Sequence, residues 1–400
     1  MLKHLLKIYS LLSKLLQAEI QQYIREHSTD DVTKLALQKN PFPGVEWPLI
    51  ISQVAARQKA KDKLPTWFAA PNIIYPSKIS VEQTSSETAA GYKSGLVSGE
   101  SLIDLTGGFG IDDYYFSKII SHVTHCELNS ELSAIARHNF EVLDAKNIDC
   151  LPGDSLGTLN RLNRQWDWIY ADPARRSDAK GKVFMLKDCL PNVPDLLGTY
   201  FKYTHNILLK TAPLLDITAG LNELRFVKAI HIVAVNNEVK ELLWILQKGF
   251  TGNIALIAAD LNKNDKAVFK VTLGEDAAAF FSLPQKYLYE PNNAIMKSGA
   301  FDAVSVQYDI AKLHRHSQLY TSESLIDFPG RRFIINEVIP CQKTAMKPLE
   351  GKKMNVTVRN FPIAVTEIQK KWKIKDGGDT YAFFTTNNNN EKIVLLCSKA

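Results

Sequence analysis

The residues able to do chemistry in this chain are a glycine cluster and a set of acids spaced behind apolar runs. In Ser101-Leu102-Ile103-Asp104-Leu105-Thr106-Gly107-Gly108-Phe109-Gly110 an apolar run ends in an acid and then in glycines, and a helix-like segment follows from Asp112. That is a strand entering a tight turn, where missing side chains let a ligand lie against bare backbone. A dinucleotide turn asks for G-x-G-x-x-G, but Asp113 stands where the last glycine belongs. Glu127 closes the next apolar run, Val123–Glu127. A carboxylate there can accept both hydroxyls of a ribose; an exposed acid at a strand end is the alternative. Asp154 follows the third run in Pro152-Gly153-Asp154-Ser155. It can accept an exocyclic amino group, although Gly-Asp is also an ordinary turn.

The fourth run leads into Trp168-Ile169-Tyr170-Ala171-Asp172-Pro173-Ala174-Arg175-Arg176. An exocyclic amine of a base is a poor nucleophile because its lone pair is conjugated with the ring. An acid such as Asp172 and the adjoining carbonyl, held in place by Pro173, can accept the amine hydrogens and orient that lone pair. Arg175 and Arg176 can grip a phosphate or stack on a base, or else pair with surface acids. After the fifth run comes Leu209-Lys210-Thr211-Ala212-Pro213. It has no cysteine, so a covalent adduct at a ring carbon lacks its nucleophile there. Lys210 either faces substrate phosphate or is a solvated lysine, and Cys189 reads as a buried structural thiol.

Those positions need a scaffold. From Ser101 onward apolar runs at Leu102–Leu105, Val123–Glu127, Asp149–Leu151, Trp168–Ala171, Asn206–Lys210, His231–Ala234 and Ala267–Thr272 alternate with helical patterns such as Glu131–Phe140. The alternation predicts an α/β fold with a doubly wound, mainly parallel, seven-stranded Rossmann-like sheet. The short polar link before Ala267–Thr272 predicts that this last strand is antiparallel. Residues 1–95 read as a helical region: Asp30 or Asp31 caps a second helix, another runs from Trp47 to Lys61, and Thr84-Ser85-Ser86-Glu87 has capping-box spacing for a helix to Val97. The expected divisions are 1–95, a catalytic domain over 96–274, a small α+β module over 275–333 and a strand-rich α+β domain over 334–400.

The 400 residues carry a net charge of +6, which permits a nucleic-acid partner without demanding one. Five scattered cysteines suit a reduced, cytoplasmic protein with neither a disulfide framework nor a zinc site. Leu5, Leu6, Tyr9, Leu12, Leu15 and Leu16 share a helical face, while Lys3, His4, Lys7 and Lys14 interrupt any signal-peptide core, and no run is long enough to span a membrane. His314 and His316 lack a third spaced ligand, so no metal is assigned.

Several of these motifs share one resemblance. Asp104, Thr106, Gly108 and Gly110 follow the D-x-G-x-G-x-G pattern of S-adenosylmethionine enzymes, with Thr106 in place of the first glycine. Asp172-Pro173-Ala174-Arg175 resembles the [Asp/Asn]-Pro-Pro-aromatic motif of amino-methyltransferases, with Ala174 for the second proline and Arg175 for the aromatic. Together with Gln83–Ala89, Val356–Pro362 and Lys375–Asp379, they resemble bacterial class I methyltransferases with a THUMP-like domain, preceded by a small ferredoxin-like module. The resemblance implies the methyltransferase variant of the Rossmann sheet, S-adenosylmethionine as cofactor, and RNA (tRNA or rRNA) as substrate. It also implies that Gln83, Ser86 and Thr88 cover the cofactor from a helix amino terminus. Lys343, Lys347, Lys352, Lys353, Arg359, Lys370, Lys371, Lys373 and Lys375 enrich the last domain in positive charge suited to phosphates, or simply form a solvated basic face. The expected reaction is methylation of an exocyclic base nitrogen, guanine N2 ahead of adenine N6, with Arg175, Arg176, Lys210 and Arg359 on the substrate. A small-molecule or protein acceptor, or a non-catalytic RNA-binding role, are the alternatives.

Overall fold

The computed structural model describes residues 10, 12–76, 78–175, 185–262 and 266–400. The amphipathic face read over Leu5, Leu6 and Tyr9 and the candidate substrate residue Arg176 lie outside them. The amino-terminal region is helical. In α1 (Ala18–Glu26) Ile20 and Ile24 are buried, and α2 (Val32–Ala36) opens on Asp31, whose carboxylate accepts from the Thr33 and Lys34 amides. In α3 (Trp47–Lys63) a proline sits in the first turn, where its missing N–H costs nothing. Next come α4 (Pro65–Ala69), α5 (Lys78–Gln83) and α6 (Glu87–Ser94).

The start of α6 differs from the capping-box expectation. Its cap is Ser86, whose Oγ accepts from the Ala89 amide at 3.2 Å. Because α5 runs to Gln83, Thr84 lies at the end of one helix rather than at the start of the next. Glu87 cannot reach back either, since its carboxylate accepts from Thr66 N, Thr66 Oγ1 and the Tyr115 hydroxyl, each at 2.7 Å.

The largest sheet is built from β1 (Ser101–Asp104), β2 (His122–Glu127), β3 (Ile148–Pro152), β4 (Trp166–Ala171), β5 (Thr204–Thr211), β6 (Val227–Val235), β7 (Glu238–Gln247), β8 (Ala255–Leu261) and β9 (Lys266–Thr272). Between them run α7 (Ile111–Phe116), α8 (Ser130–Val142), α9 (Ser155–Leu162), α10 (Val193–Tyr200) and α11 (Ile217–Glu223). Its nine strands are ordered β3-β2-β1-β4-β5-β7-β6-β8-β9. The first five are mutually parallel and β7 runs antiparallel to β5. Those first seven positions give the expected methyltransferase variant of the Rossmann sheet.

Two details depart from expectation. The antiparallel strand beside the fifth is β7, not Ala267–Thr272, which is antiparallel to β8 at the sheet's edge. The sequence of β7, Glu-Val-Lys-Glu-Leu-Leu-Trp-Ile-Leu-Gln, does not alternate apolar and polar because a strand inside a covered sheet is buried on both faces. Its signal is the turn before it, Asn236-Asn237, with φ of +51° and +63°. Two left-handed residues in succession make a tight hairpin whose twist matches its strands.

The chain forms two compact units, residues 1–228 with 242–252, and residues 229–241 with 253–400. The first contains α1–α6 and β1–β5, with Trp67 fully buried and edge-on to Tyr114 at 4.7 Å. The second contains a seven-stranded sheet in which Ala311–Lys312 is followed by β11 (Tyr320–Ser322), β10 (Tyr287–Pro291), β12 (Gly330–Pro340), β15 (Lys392–Lys399), β14 (Tyr381–Thr386) and β13 (Asn355–Val358). Its helices include α12 (Asn293–Ser298), α13 (Phe301–Tyr308) and α14 (Val365–Trp372). The parallel pair β13 and β14 is joined through α14, as a parallel connection requires. The sheet is continuous across the division expected at residue 333, since β12 passes through it.

Candidate active site

Register brings the candidate acids to one edge. Asp104 lies opposite Tyr170 and His125, Glu127 opposite Pro152, and Ala171 opposite Leu209. The strands are parallel, so Asp104, Glu127, Asp154, Asp172 and Lys210 all leave from their carboxyl ends. That is where open α/β sheets bind ligands.

Within the turn, Thr106 is the joint. Asp104 Oδ1 accepts from the Thr106 amide at 2.7 Å and from Thr106 Oγ1 at 2.9 Å, and the same Oγ1 accepts from the Asp172 amide at 2.7 Å. A glycine there would leave the β1 turn and the β4 loop untied. Asp104 itself is 2% exposed, so its carboxyl shapes the turn instead of facing open space. The glycines divide the remaining work. A Cβ on Gly107 would lie 2.3 Å from the His125 ring, and Gly110, at φ +81°, would place one 2.3 Å from Phe140. Gly108 is also left-handed, at φ +56°, but a Cβ there would meet nothing nearer than the Thr106 carbonyl at 3.6 Å. Its amide donates to Glu127 Oε2 at 2.9 Å, while Glu127 Oε1 accepts from the Asn129 amide at 2.7 Å. An open cradle therefore lies beside a fixed, half-exposed carboxylate.

Beneath the turn is a buried cluster that motif spacing does not reveal. His125 Nδ1 and Asp113 Oδ2 lie 2.6 Å apart with both residues fully buried. Burial, with Asp112 adding to it, pushes the Asp113 carboxyl well above the usual carboxylate range, and burial also lowers the His125 pKa. Both shifts favour the uncharged form of each group. Burial, with Asp113 adding to it, likewise raises the Asp104 pKa. Asp112 goes the other way: burial opposes its charge, but Lys93 and Lys210 outweigh it and hold the pKa below the ordinary value. Lys93 Nζ, fully buried, lies 3.1 Å from Asp112 Oδ1, and Asp112 Oδ2 accepts from Ser85 Oγ at 3.0 Å and from the Tyr170 hydroxyl at 2.8 Å. The one sequence sign of this cluster is Asp113 at the missing third glycine; its partners lie on other elements.

Asp172 forms an ion pair with Lys210, whose side chain is mostly buried. Pro173 is buried behind it, and Ala174–Arg175 pairs antiparallel with Cys189–Leu190. Cys189 is buried, in keeping with a packing role. Asp154 caps α9, its Oδ2 accepting from the Gly157 amide at 2.6 Å, and the Gly153 amide donates to the Glu127 carbonyl at 2.9 Å. Ser86 is half-buried at the start of α6, with Gln83 and Thr88 exposed on either side. Arg359 belongs to the second unit, where it pairs with Glu290. Among the described residues no group of three acids, histidines or cysteines is placed to hold a metal ion, and no helix is long and apolar enough to cross a membrane.

The chain is similar over almost its whole length to a solved structure of a candidate methyltransferase from Porphyromonas gingivalis W83. The two share 30% identity, with 97% of this chain and 98% of that one covered and a TM-score of 0.86. The chain belongs to that protein's family. Residues 287–329 match the ferredoxin-like domain family and residues 330–399 the THUMP domain-like family, so the family's carboxyl-terminal pair is present as expected. Among curated proteins none matches the chain. A methyltransferase from Geobacter sulfurreducens (17% identity, 52% of this chain and 92% of that one, TM-score 0.32) and an rRNA methylase from Streptococcus thermophilus (12%, 40% and 93%, 0.29) are more distant likenesses.

Proposed function

We propose that the protein is an S-adenosylmethionine-dependent RNA methyltransferase acting on an exocyclic base nitrogen, guanine N2 ahead of adenine N6. The observation that carries this reading is the Asp172 carboxylate at the end of β4, ion-paired with Lys210 and with its backbone amide held by Thr106. The residues at the sheet edge fit the cofactor, because Gly108 leaves room beside Glu127. Glu127 would take the ribose hydroxyls, and Asp154, whose Oδ1 has no partner among the described residues, the adenine amino group. Gly108 and Gly110 would line its path, and Gln83, Ser86 and Thr88 would cover it. When bound, S-adenosylmethionine supplies a methyl group on a positively charged sulfur.

The chain's own part is orientation. Lys210 fixes the Asp172 carboxylate, which accepts a hydrogen of the incoming amine and turns its lone pair outward; Pro173 holds the adjoining carbonyl for a second such bond. Arg175 stands where related motifs carry an aromatic ring, and a guanidinium suits the O6 and N7 edge of guanine, which favours guanine over adenine. RNA as acceptor is supported by the THUMP domain-like match and the basic residues of that region, Arg359 among them. The test is methyl transfer from labelled cofactor to total RNA of a strain lacking the gene, followed by mass spectrometry of the nucleosides. N2-methylguanosine is the expected product. Label appearing only in protein or small molecules would overturn RNA as acceptor, and absence of cofactor binding in calorimetry would overturn the enzyme reading.

A further inference from the structure

We propose that the second unit carries a phosphate pocket, formed by Arg331, Arg332 and Arg359, that takes the phosphate group of a nucleotide. Its biological occupant, a nucleotide of an RNA strand, rests on the reading above; the pocket itself does not. A cavity of about 480 Å³ in this unit is lined by these three side chains, a volume within the range of small-ligand sites.

The guanidiniums are set by one buried acid. Glu290, 3% exposed, lies opposite Arg331 across β10 and β12. Its Oε2 accepts from Arg331 Nε at 2.6 Å, with Arg331 Nη2 also closing on that oxygen, and its Oε1 accepts from Arg359 Nη2 at 2.7 Å. Other bonds are few and long. Arg359 Nη1 reaches only the Val358 carbonyl at 3.4 Å, and its Nε has no partner among the described residues. Arg332 Nη1 approaches the Ile326 carbonyl at 3.4 Å and Asp327 Oδ1 at 3.5 Å. Three planar forks thus line one small cavity with most of their N–H donors unmet by protein, and each side chain is between a third and a half exposed.

Charge does not make the site by itself. Glu290, Asp260 and Asp327 also line the cavity, so three acids balance three arginines there. Asp260 is already engaged by the Asn237 amide at 2.9 Å. What remains is donor geometry: pre-positioned guanidiniums offering paired N–H groups, which match the oxygens of a phosphate.

Arg332→Gln is the variant of choice, because Arg332 makes only long contacts and its loss leaves the Glu290 cluster intact. Binding of adenosine monophosphate, with adenosine as control, is measured by calorimetry, and binding of a 5′-phosphorylated RNA oligonucleotide by fluorescence polarisation over a salt series. Arg332→Gln is expected to weaken the monophosphate about tenfold and to reduce the salt slope for RNA by about 0.7, one phosphate on a single strand. Lys286→Gln, an exposed change elsewhere in the unit, should leave the monophosphate affinity unchanged. Monophosphate bound equally by wild type and Arg332→Gln, not bound at all, or matched by adenosine overturns the pocket. Monophosphate bound and weakened in the variant while RNA fails to bind supports the pocket and overturns RNA as substrate. RNA bound with no effect of Arg332→Gln on either probe does the reverse.

Discussion

Asp172 and His231 show how one residue's surroundings set its use. The Asp172 side chain, about one-third exposed and paired with Lys210, is replaceable without opening the core. Asp172→Ala should therefore lower methyl transfer about 100-fold or more while calorimetric cofactor affinity and the melting temperature stay near wild type; unchanged turnover would remove Asp172 from the reaction. His231 is a group of another kind, buried on β6. Burial, reinforced by Lys266 and Lys270, lowers its pKa to about 4. Above the ordinary histidine value both folded and unfolded chains hold it neutral. As pH falls from 6.5 towards 4 only the unfolded chain takes the proton, so about 3 kcal/mol of stability present at neutral pH is lost across that window. Urea midpoints at pH 7.5 and 4.5 should differ more for wild type than for His231→Gln, and equal pH dependence would discount the group. Sequence made Asp172 visible because its proline and strand end are local. It hid Lys93, Asp112, Asp113 and His125, because each gains its meaning only from a partner brought in from another element.

At the scale of elements, the β1 turn separates packing from ligand space within four residues. Gly107→Ala drives a Cβ into the buried His125 ring and should cost about 2 kcal/mol or more. Gly108→Ala makes only an ordinary contact with the Thr106 carbonyl and bears only the left-handed backbone, about 1 kcal/mol, yet it should weaken S-adenosylmethionine binding. Thermal melts paired with calorimetry would separate the two effects, and equal melting temperatures would contradict the division. Much of the architecture was readable at this scale. Strands β1–β5 announce themselves as apolar runs, and the strand-rich α+β texture expected over 334–400 takes shape as β13, α14, β14 and β15. By contrast β7 and β8 were missed: a two-faced buried strand has no alternation to display, and Ala255-Leu256-Ile257-Ala258-Ala259-Asp260-Leu261 is rich in residues that helices favour. The Asn236-Asn237 turn was the available cue for β7.

For the whole molecule, residues 229–241 and 253–274 fall in the same compact unit as the carboxyl-terminal sheet. Within that unit the Asn293 amide and side chain bond to Asn237 at 2.7 and 2.6 Å, and Ala294 and Ile295 are fully buried. A fragment beginning at Glu275 loses that cover and should aggregate or unfold without cooperativity; a monomeric fragment with a sharp melt in gel filtration and calorimetry would refute this. A related constraint lies in Glu290, which falls within the ferredoxin-like match, whereas Arg331 and Arg359, which neutralise it, fall within the THUMP-like one. Removing the partners of a buried charge costs about 3–5 kcal/mol. The two modules therefore share one set of charges: a hybrid in which either one is exchanged without its half of this cluster would strand a buried carboxylate or its arginines, and should melt well below the native chain.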